Sequence, residues 1–197
     1  MNAAACYFVH AMAEENSEIA RGLRRRDPDL LDRLIEQYQH RLLRYLLHLT
    51  GNPALAEDLF QETWVRVLER GGQYDGRHEF CTWLFAVARN LFIDSTRRKH
   101  HASLDGMLDD DNRPIEIPDT GRPSAFDRTV QEELSELVAQ GLTHLVAEYR
   151  EALVLRFQEG LSLEEISQVT GAPLGTVKSR IYRGLSALQP YLKGAQP

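Results

Sequence analysis

The sequence predicts an all-α protein of two small helical domains joined by an acidic flexible linker. Three observations carry that expectation. Apolar residues recur at helical spacing through most of the 197 residues, and no stretch of any length alternates with the period of a strand. Residues 103–127 break this pattern with three prolines, two glycines and the run Asp109-Asp110-Asp111. Between Gly160 and Arg183 the chain reads as two short helices joined by a tight turn. The expected division is an N-terminal extension (1–17), a first domain (18–102), a linker (103–127) and a second domain (128–193).

The net charge of −6 follows the same division. Residues 1–102 hold 14 Lys and Arg against 14 Asp and Glu, residues 103–127 hold 2 against 7, and residues 128–197 hold 7 against 8. Most of the excess acid sits in the linker, so it does not argue against either domain meeting a polyanion.

In the first domain, Pro28 lies near the start of a helix whose core face is Leu30, Leu31, Leu34, Ile35, Tyr38, Leu42, Tyr45, Leu46 and Leu49, and Gly51 stops it. Asn52 and Pro53 cap and open a second helix. There Leu55, Leu59, Trp64, Val67 and Leu68 are expected in the core, while Asp58, Gln61, Glu62 and Val65 share another face. Acid with an apolar residue among it suits a protein partner, and a solvated face has the same composition. Gly71-Gly72 ends that helix, and Tyr74-Asp75-Gly76 forms the loop before the next. The third helix sets Phe80, Trp83, Leu84, Val87, Leu91 and Phe92 at core spacing, then becomes basic, with four Lys and Arg against one acid from Arg89 to His101. Aromatic and Asn side chains beside a basic patch are what a protein needs to hold an unstacked base. The same residues also suit an ordinary core and a helix end that complements its dipole.

The second domain carries the sharper signal. Ser162 and Glu165 have the spacing of a capping box, which starts a helix at about Leu163. Ile166 and Val169 continue its stripe to Gly171, a helix-ending residue, and Pro173 suits the first position of the next helix. Leu174, Val177, Ile181, Leu185 and Leu188 are expected to face a core, which turns Thr176, Ser179 and Arg183 outward with Lys178, Arg180 and Tyr182 on the flanks. From Pro173 to Lys193 there are four cations and no acid. A helix that enters a DNA groove needs that bias, because phosphate neutralisation supplies much of the affinity while short polar and guanidinium groups read base edges.

Other classes are disfavoured. No run of about eighteen apolar residues offers a membrane span, and Met1 to His10 lacks the basic and long apolar regions of a signal peptide, so a cytoplasmic protein without membrane insertion is expected. Met12 is a second candidate start. Cys6 and Cys81 lie far apart with no ligand spacing, and Cys81 reads as a small core residue. Neither the seven histidines nor the acids form a metal-ligand motif, and no nucleophile elbow, P-loop or HExxH is present. No metal, no cofactor and no enzymatic activity are expected.

Four segments in order resemble the signature segments of the extracytoplasmic-function (ECF) group of bacterial sigma factors. They are Ala56 to Leu68 (AEDLFQETWVRVL), Phe80 to Asp94 (FCTWLFAVARNLFID), Gly160 to Ser167 (GLSLEEIS) and Gly175 to Arg183 (GTVKSRIYR). The resemblance spans about residues 18–193 and implies a region 2-like domain followed by a region 4-like helix-turn-helix domain. It implies core RNA polymerase and promoter DNA as partners, and regulation by an anti-sigma factor, which is common in the family. On this resemblance Asp58, Gln61, Glu62 and Val65 match the face presented to the polymerase clamp. Asn90, just after Arg89, matches the position that captures a flipped base of the minus 10 element, with Arg97, Arg98 and Lys99 following the strand's phosphates. Lys178, Ser179, Tyr182 and Arg183 match positions that face the groove of the minus 35 element, with Thr176 beside them and Arg180 placed for phosphate. The acidic linker resembles the connector that passes near the RNA exit path.

Three positions depart from the family pattern. Thr143-His144 stands where a Leu-Pro pair commonly opens the second domain, Ala86 occupies a site that is often basic, and the first eleven or so residues have no counterpart. The rival reading is a stand-alone helix-turn-helix repressor or activator, which would bind its operator unaided, typically as a dimer on a palindrome.

Overall fold

The computed structural model describes residues 3–103 and 138–192, with side chains described for 13–98 and 138–192. The helices among the described residues are α1 (Ala3–Arg25), α2 (Pro28–Thr50), α3 (Pro53–Arg70), α4 (Phe80–Ser103), α5 (138–143), α6 (Ala147–Leu153), α7 (Leu163–Thr170) and α8 (Leu174–Leu192). All but one residue of the expected linker, together with the segment 128–137, lies outside the described residues.

Local chemistry sets most of the boundaries. Asp27 Oδ1 accepts from the Asp29 and Leu30 amides at 3.1 and 3.4 Å, Pro28 follows with φ already fixed for a helix, and Gly51 ends α2 in the left-handed conformation at φ 59°. Asn52 Oδ1 caps α3 through the Leu55 amide at 3.1 Å. Helix α1 runs straight through the expected boundary at residue 17, and its Ile19, Ala20 and Leu23 are buried in the first domain's core. Leu34, Tyr38, Leu42, Tyr45 and Leu46 of α2 meet Leu59 and Val67 of α3 and Phe80, Leu84 and Phe85 of α4 there. Tyr38 lies 5.4 Å from Phe80 and Tyr45 lies 5.0 Å from Phe85, both tilted, the arrangement aromatic pairs favour.

In the second domain Leu153, Val154, Leu155, Ile166, Val169, Val177 and Leu188 form the core, and the His144 ring stacks on Tyr191 at 4.9 Å. Helix α6 does not stop cleanly. It widens into a π-helical turn over Val154–Gln158, in which the Glu159 amide donates five residues back to the Val154 carbonyl at 3.1 Å. Pro173 precedes α8 as its cap rather than as its first residue, its carbonyl accepting from Thr176 and Val177.

The two domains dock on each other. Helix α7 packs against α4 and α6 against α2, so the buried apolar residues of both domains form one continuous cluster. Phe85 and Ala88, which the core spacing of α4 omits, are also fully buried, Phe85 against Tyr45 of α2. Two positions expected in the core are not there: Leu68 is 46% exposed and Leu185 is 45% exposed. Helical spacing marks an apolar stripe, and at both positions the stripe extends past the neighbour that covers it.

His48 sits beside this junction, buried, with Nδ1 lacking a partner. Burial, with the positive charges of Arg150 and Arg44, lowers its pKa from 6.5 to about 4. The fold therefore favours neutral His48, and that stabilisation is complete above pH 6.5 and lost as pH falls from there towards 4. Between pH 7 and pH 5 the wild type is expected to lose about 2 kcal/mol more stability than His48→Gln in denaturant titrations. Equal losses in the two proteins would remove His48 as the titrating group.

Candidate nucleic-acid interface

The hairpin of α7 and α8 is built locally. Ser162 Oγ accepts from the Glu165 amide at 3.2 Å while Glu165 Oε2 accepts from the Ser162 amide at 2.8 Å, completing the capping box. Burial acts to raise the Glu165 pKa, but the hydrogen bonds from the Ser162 amide and hydroxyl and from Thr82 outweigh it and hold the carboxylate below its ordinary range. Gly171 turns the chain at φ 67°, where an L side chain is strained. Gly184 then lets α8 lie close on α6: a Cβ there would meet Leu153 at 3.1 Å.

That placement decides which face of α8 is free. Lys178, Tyr182 and Arg183 are exposed, with Tyr182 at 74%. Thr176, Ser179 and Arg180 are half-buried, and the Ser179 hydroxyl donates to the Thr176 carbonyl at 2.9 Å. All six candidate reading residues thus fall on one helix whose outer surface carries cations and hydroxyls and no acid.

On the first domain, Asn90, Arg97 and Arg98 are exposed along α4, whereas the Lys99 side chain lies outside the described residues. Asn90 opens onto a crevice of about 320 Å³ lined also by Trp83, Ala86 and Asp94 of α4 and by Arg66, Arg70 and Gln73. A half-exposed indole, an amide and two guanidinium groups around one hollow can stack on a base and bond to its edge. The α3 contributions were not legible from α4 alone; Arg66 and Arg70 share a helix face at a spacing of four, the one signal that points to them. Arg89 stands apart from this set. Its side chain is only 18% exposed and its Nε donates to Glu151 of the second domain at 2.7 Å, so in this structure it is engaged within the protein.

On α3, Asp58, Gln61, Glu62 and Val65 are exposed on one strip, with Val65 at 47%. Leu68 extends the strip by one turn, so the residue expected in the core is available to a partner. Glu62 is engaged by Arg66 at 2.9 Å. Burial pushes the Cys81 thiol up to about 11, which makes it an inert core residue.

Sequence comparison places these surfaces in known domains. The model of sigma-70 region 2 matches residues 34–102, and that of sigma-70, region 4 matches residues 135–188. The ECF RNA polymerase sigma factor SigW of Bacillus subtilis is 32% identical over 175 residues, covering 85% of this chain and 91% of its own. The chain belongs to the ECF sigma factors. SigE of Mycolicibacterium smegmatis, another ECF RNA polymerase sigma factor, is 38% identical over 82% of this chain, which spans 61% of the SigE length. The fold is shared with a solved structure: the sigma factor RpoE of Bartonella quintana, solved with the anti-sigma factor NepR, superposes with a TM-score of 0.65 at 24% identity, covering 82% of this chain and 96% of RpoE. Among the described residues no helix is long and apolar enough to cross a membrane.

Proposed function

We propose that this sigma factor joins bacterial core RNA polymerase in the cytoplasm and directs initiation at promoters with minus 35 and minus 10 elements. The α3 strip of Asp58, Gln61, Glu62, Val65 and Leu68 docks on the polymerase. The crevice at Asn90 receives a base of the opened minus 10 element while Arg97, Arg98 and Lys99 follow the strand, and Arg89 joins them once it leaves Glu151. Helix α8 reads the minus 35 element with Lys178, Ser179, Tyr182 and Arg183, with Thr176 at its entrance and Arg180 on phosphate.

Strand opening needs no chemical catalysis on this reading. Unpairing a few base pairs costs a few kcal/mol, and stacking and pocket contacts with the single strand offset it. The observation that carries the proposal is the coincidence of each surface with its domain: an exposed acidic and apolar strip and a base-sized crevice in region 2, and an acid-free helix in region 4. A stand-alone repressor is disfavoured because its N-terminal domain would have no reason to belong to region 2. An anti-sigma factor is the expected regulator, given that the RpoE relative in fold was solved with one.

Core binding tests the first step. Val65→Ala with Leu68→Ala is expected to weaken binding to core polymerase by about ten- to a hundredfold with helicity unchanged, since buried apolar anchors carry most interface energy. Asp58→Ala with Glu62→Ala is expected to act in the same direction. Unchanged affinity in both pairs removes the strip from the interface.

A further inference from the structure

The end of α1 lies outside the segment that matches region 2, yet it packs against the rim of the Asn90 crevice. Helix α1 contacts the 3-10 turn Gly71–Gln73, whose last residue lines that crevice. The Arg24 stem lies on Gly72, where an added Cβ would meet Arg24 Cγ at 3.8 Å, and Leu23 packs on Gly71. The crevice follows α4 from Trp83 to Asp94, and Arg97 and Arg98 stand one turn beyond Asp94. Tyr74, next to Gln73, holds its ring 5.5 Å from that of Trp83, so the Gln73 wall is at the Trp83 end. Arg24 therefore extends the crevice at the end opposite Arg97 and Arg98.

Arg24, Arg25 and Arg26 are all exposed, and among the described residues none of their side chains makes an ion pair or a hydrogen bond. Cations in the last turn complement the helix dipole, which accounts for Arg24 and Arg25. It does not account for Arg26. That residue has left-handed backbone at φ 54°, in a turn where its amide donates to the Leu23 carbonyl at 3.2 Å and the Asp27 amide donates to the Gly22 carbonyl at 3.1 Å. These two bonds make a Schellman motif, whose left-handed position is usually glycine, so the arginine carries backbone strain that no contact of its side chain within the fold offsets. Arg25 differs from its neighbours: it lines the cleft between α1 and α2 together with Glu15, Glu18 and Asp27.

We propose that Arg24 and Arg26 form a second phosphate-binding site, which holds the non-template single strand on the far side of the captured base from Arg97 and Arg98. The site rests on the sigma-factor reading and extends it to DNA downstream of the minus 10 element. Helix α4 leads, past Ser103, to the second domain and its upstream element, so the Arg97 end of the crevice faces upstream and the Arg24 end downstream. Seven residues of helix separate Asn90 from Trp83, about 10 Å, or about three nucleotides at 3.4 Å per step. Arg24 and Arg26 thus meet phosphates about three or more nucleotides beyond the captured base. Two guanidinium groups on phosphate add affinity without regard to sequence and make it salt-dependent.

The test measures binding of two single-stranded oligonucleotides to the full-length protein assembled with core polymerase. Both carry the non-template minus 10 strand of a promoter that the protein uses in run-off transcription; one stops just after the element and the other continues about eight nucleotides downstream. Wild type is expected to bind the long strand about five- to tenfold more tightly than the short one. Arg24→Ala with Arg26→Gly is expected to bind both strands equally, at the wild-type affinity for the short one, and to lower the salt slope for the long strand by about one to one and a half. Arg26→Gly alone is expected to raise the melting temperature by about 2–4 °C, because glycine suits the left-handed turn, while reducing the gain from the longer strand; loss of binding in a more stable protein is then not misfolding. Arg25→Ala removes the same charge from the same helix end and is expected to keep the gain. A wild type that binds both strands equally overturns the site, as does a double variant that still prefers the long strand. An Arg25→Ala loss equal to that of the double variant assigns the gain to general positive charge and also overturns it. Binding of neither strand by wild type, with core unbound, would instead sink the sigma-factor reading.

Discussion

Arg183→Ala is expected to lower transcription from promoters with an intact minus 35 element by about ten- to a hundredfold, and to flatten the preference between intact and altered upstream elements. Arg183 is exposed on the acid-free face of α8, beside the Gly184 contact that fixes the helix on α6. A guanidinium on a base edge is worth about 1–3 kcal/mol of discrimination, which is the range stated. Arg180→Ala, which removes the guanidinium assigned to phosphate, is expected to weaken binding across all sequences and to reduce the salt dependence by about one ion. The two variants therefore separate reading from anchoring. Equal use of intact and altered upstream elements by wild type and Arg183→Ala would remove Arg183 from base reading.

Asn90→Ala is expected to slow open-complex formation by about tenfold or more on duplex promoters while leaving core binding and stability unchanged. Asn90 is exposed, so the substitution leaves no cavity, and its amide is at the mouth of the crevice with Trp83. A captured base gains stacking of about 1–3 kcal/mol together with its edge bonds, and losing the latter shifts the balance back towards paired DNA. On a template whose minus 10 element is already unpaired, the same variant is expected to recover to within a few-fold of wild type. A defect of the same size on both templates would place Asn90 in some step other than strand capture. Ala86 on the wall of that crevice stands where the family often has a basic residue, and Ala86→Lys is the natural companion to compare on the same templates.

The recognition hairpin was legible in the sequence because its determinants are local. Ser162 with Glu165, Gly171 and the apolar spacing of Ile166, Val169 and Val177 each act within a turn or two, and the structure places each as expected. The same holds for Pro28, Gly51 and Asn52 around α2 and α3. The docking of the domains was not legible. Arg41 and Glu159 are 118 residues apart and Arg89 and Glu151 are 62 apart, and no local signal in the sequence pairs either couple. Phe85 and Ala88 are buried although the core spacing of α4 omits them, because α4 buries a wider face than a single stripe, with Phe85 against Tyr45 of α2. Leu68 erred the other way. An apolar residue at helical spacing looks alike whether it faces a core or a partner, and only the position of the neighbouring helices distinguishes them. Of the candidate site, the α3 strip and Arg183 are exposed as the spacing predicts, but Thr176 and Ser179, expected to face outward, are half-buried while Lys178 and Tyr182, expected on the flanks, are exposed, because α8 is rotated towards α6 by the Gly184 contact; Arg89 is held by Glu151 and Lys99 lies outside the residues with described side chains.

The most direct test is promoter-dependent run-off transcription with bacterial core polymerase freed of other sigma factors, supplied with a genomic fragment library and this protein. The account predicts discrete transcripts that appear only when the protein is present, whose upstream regions share two elements about 25 base pairs apart. No transcripts, with core unbound and a palindromic operator bound by the protein alone, would contradict it and favour a stand-alone regulator.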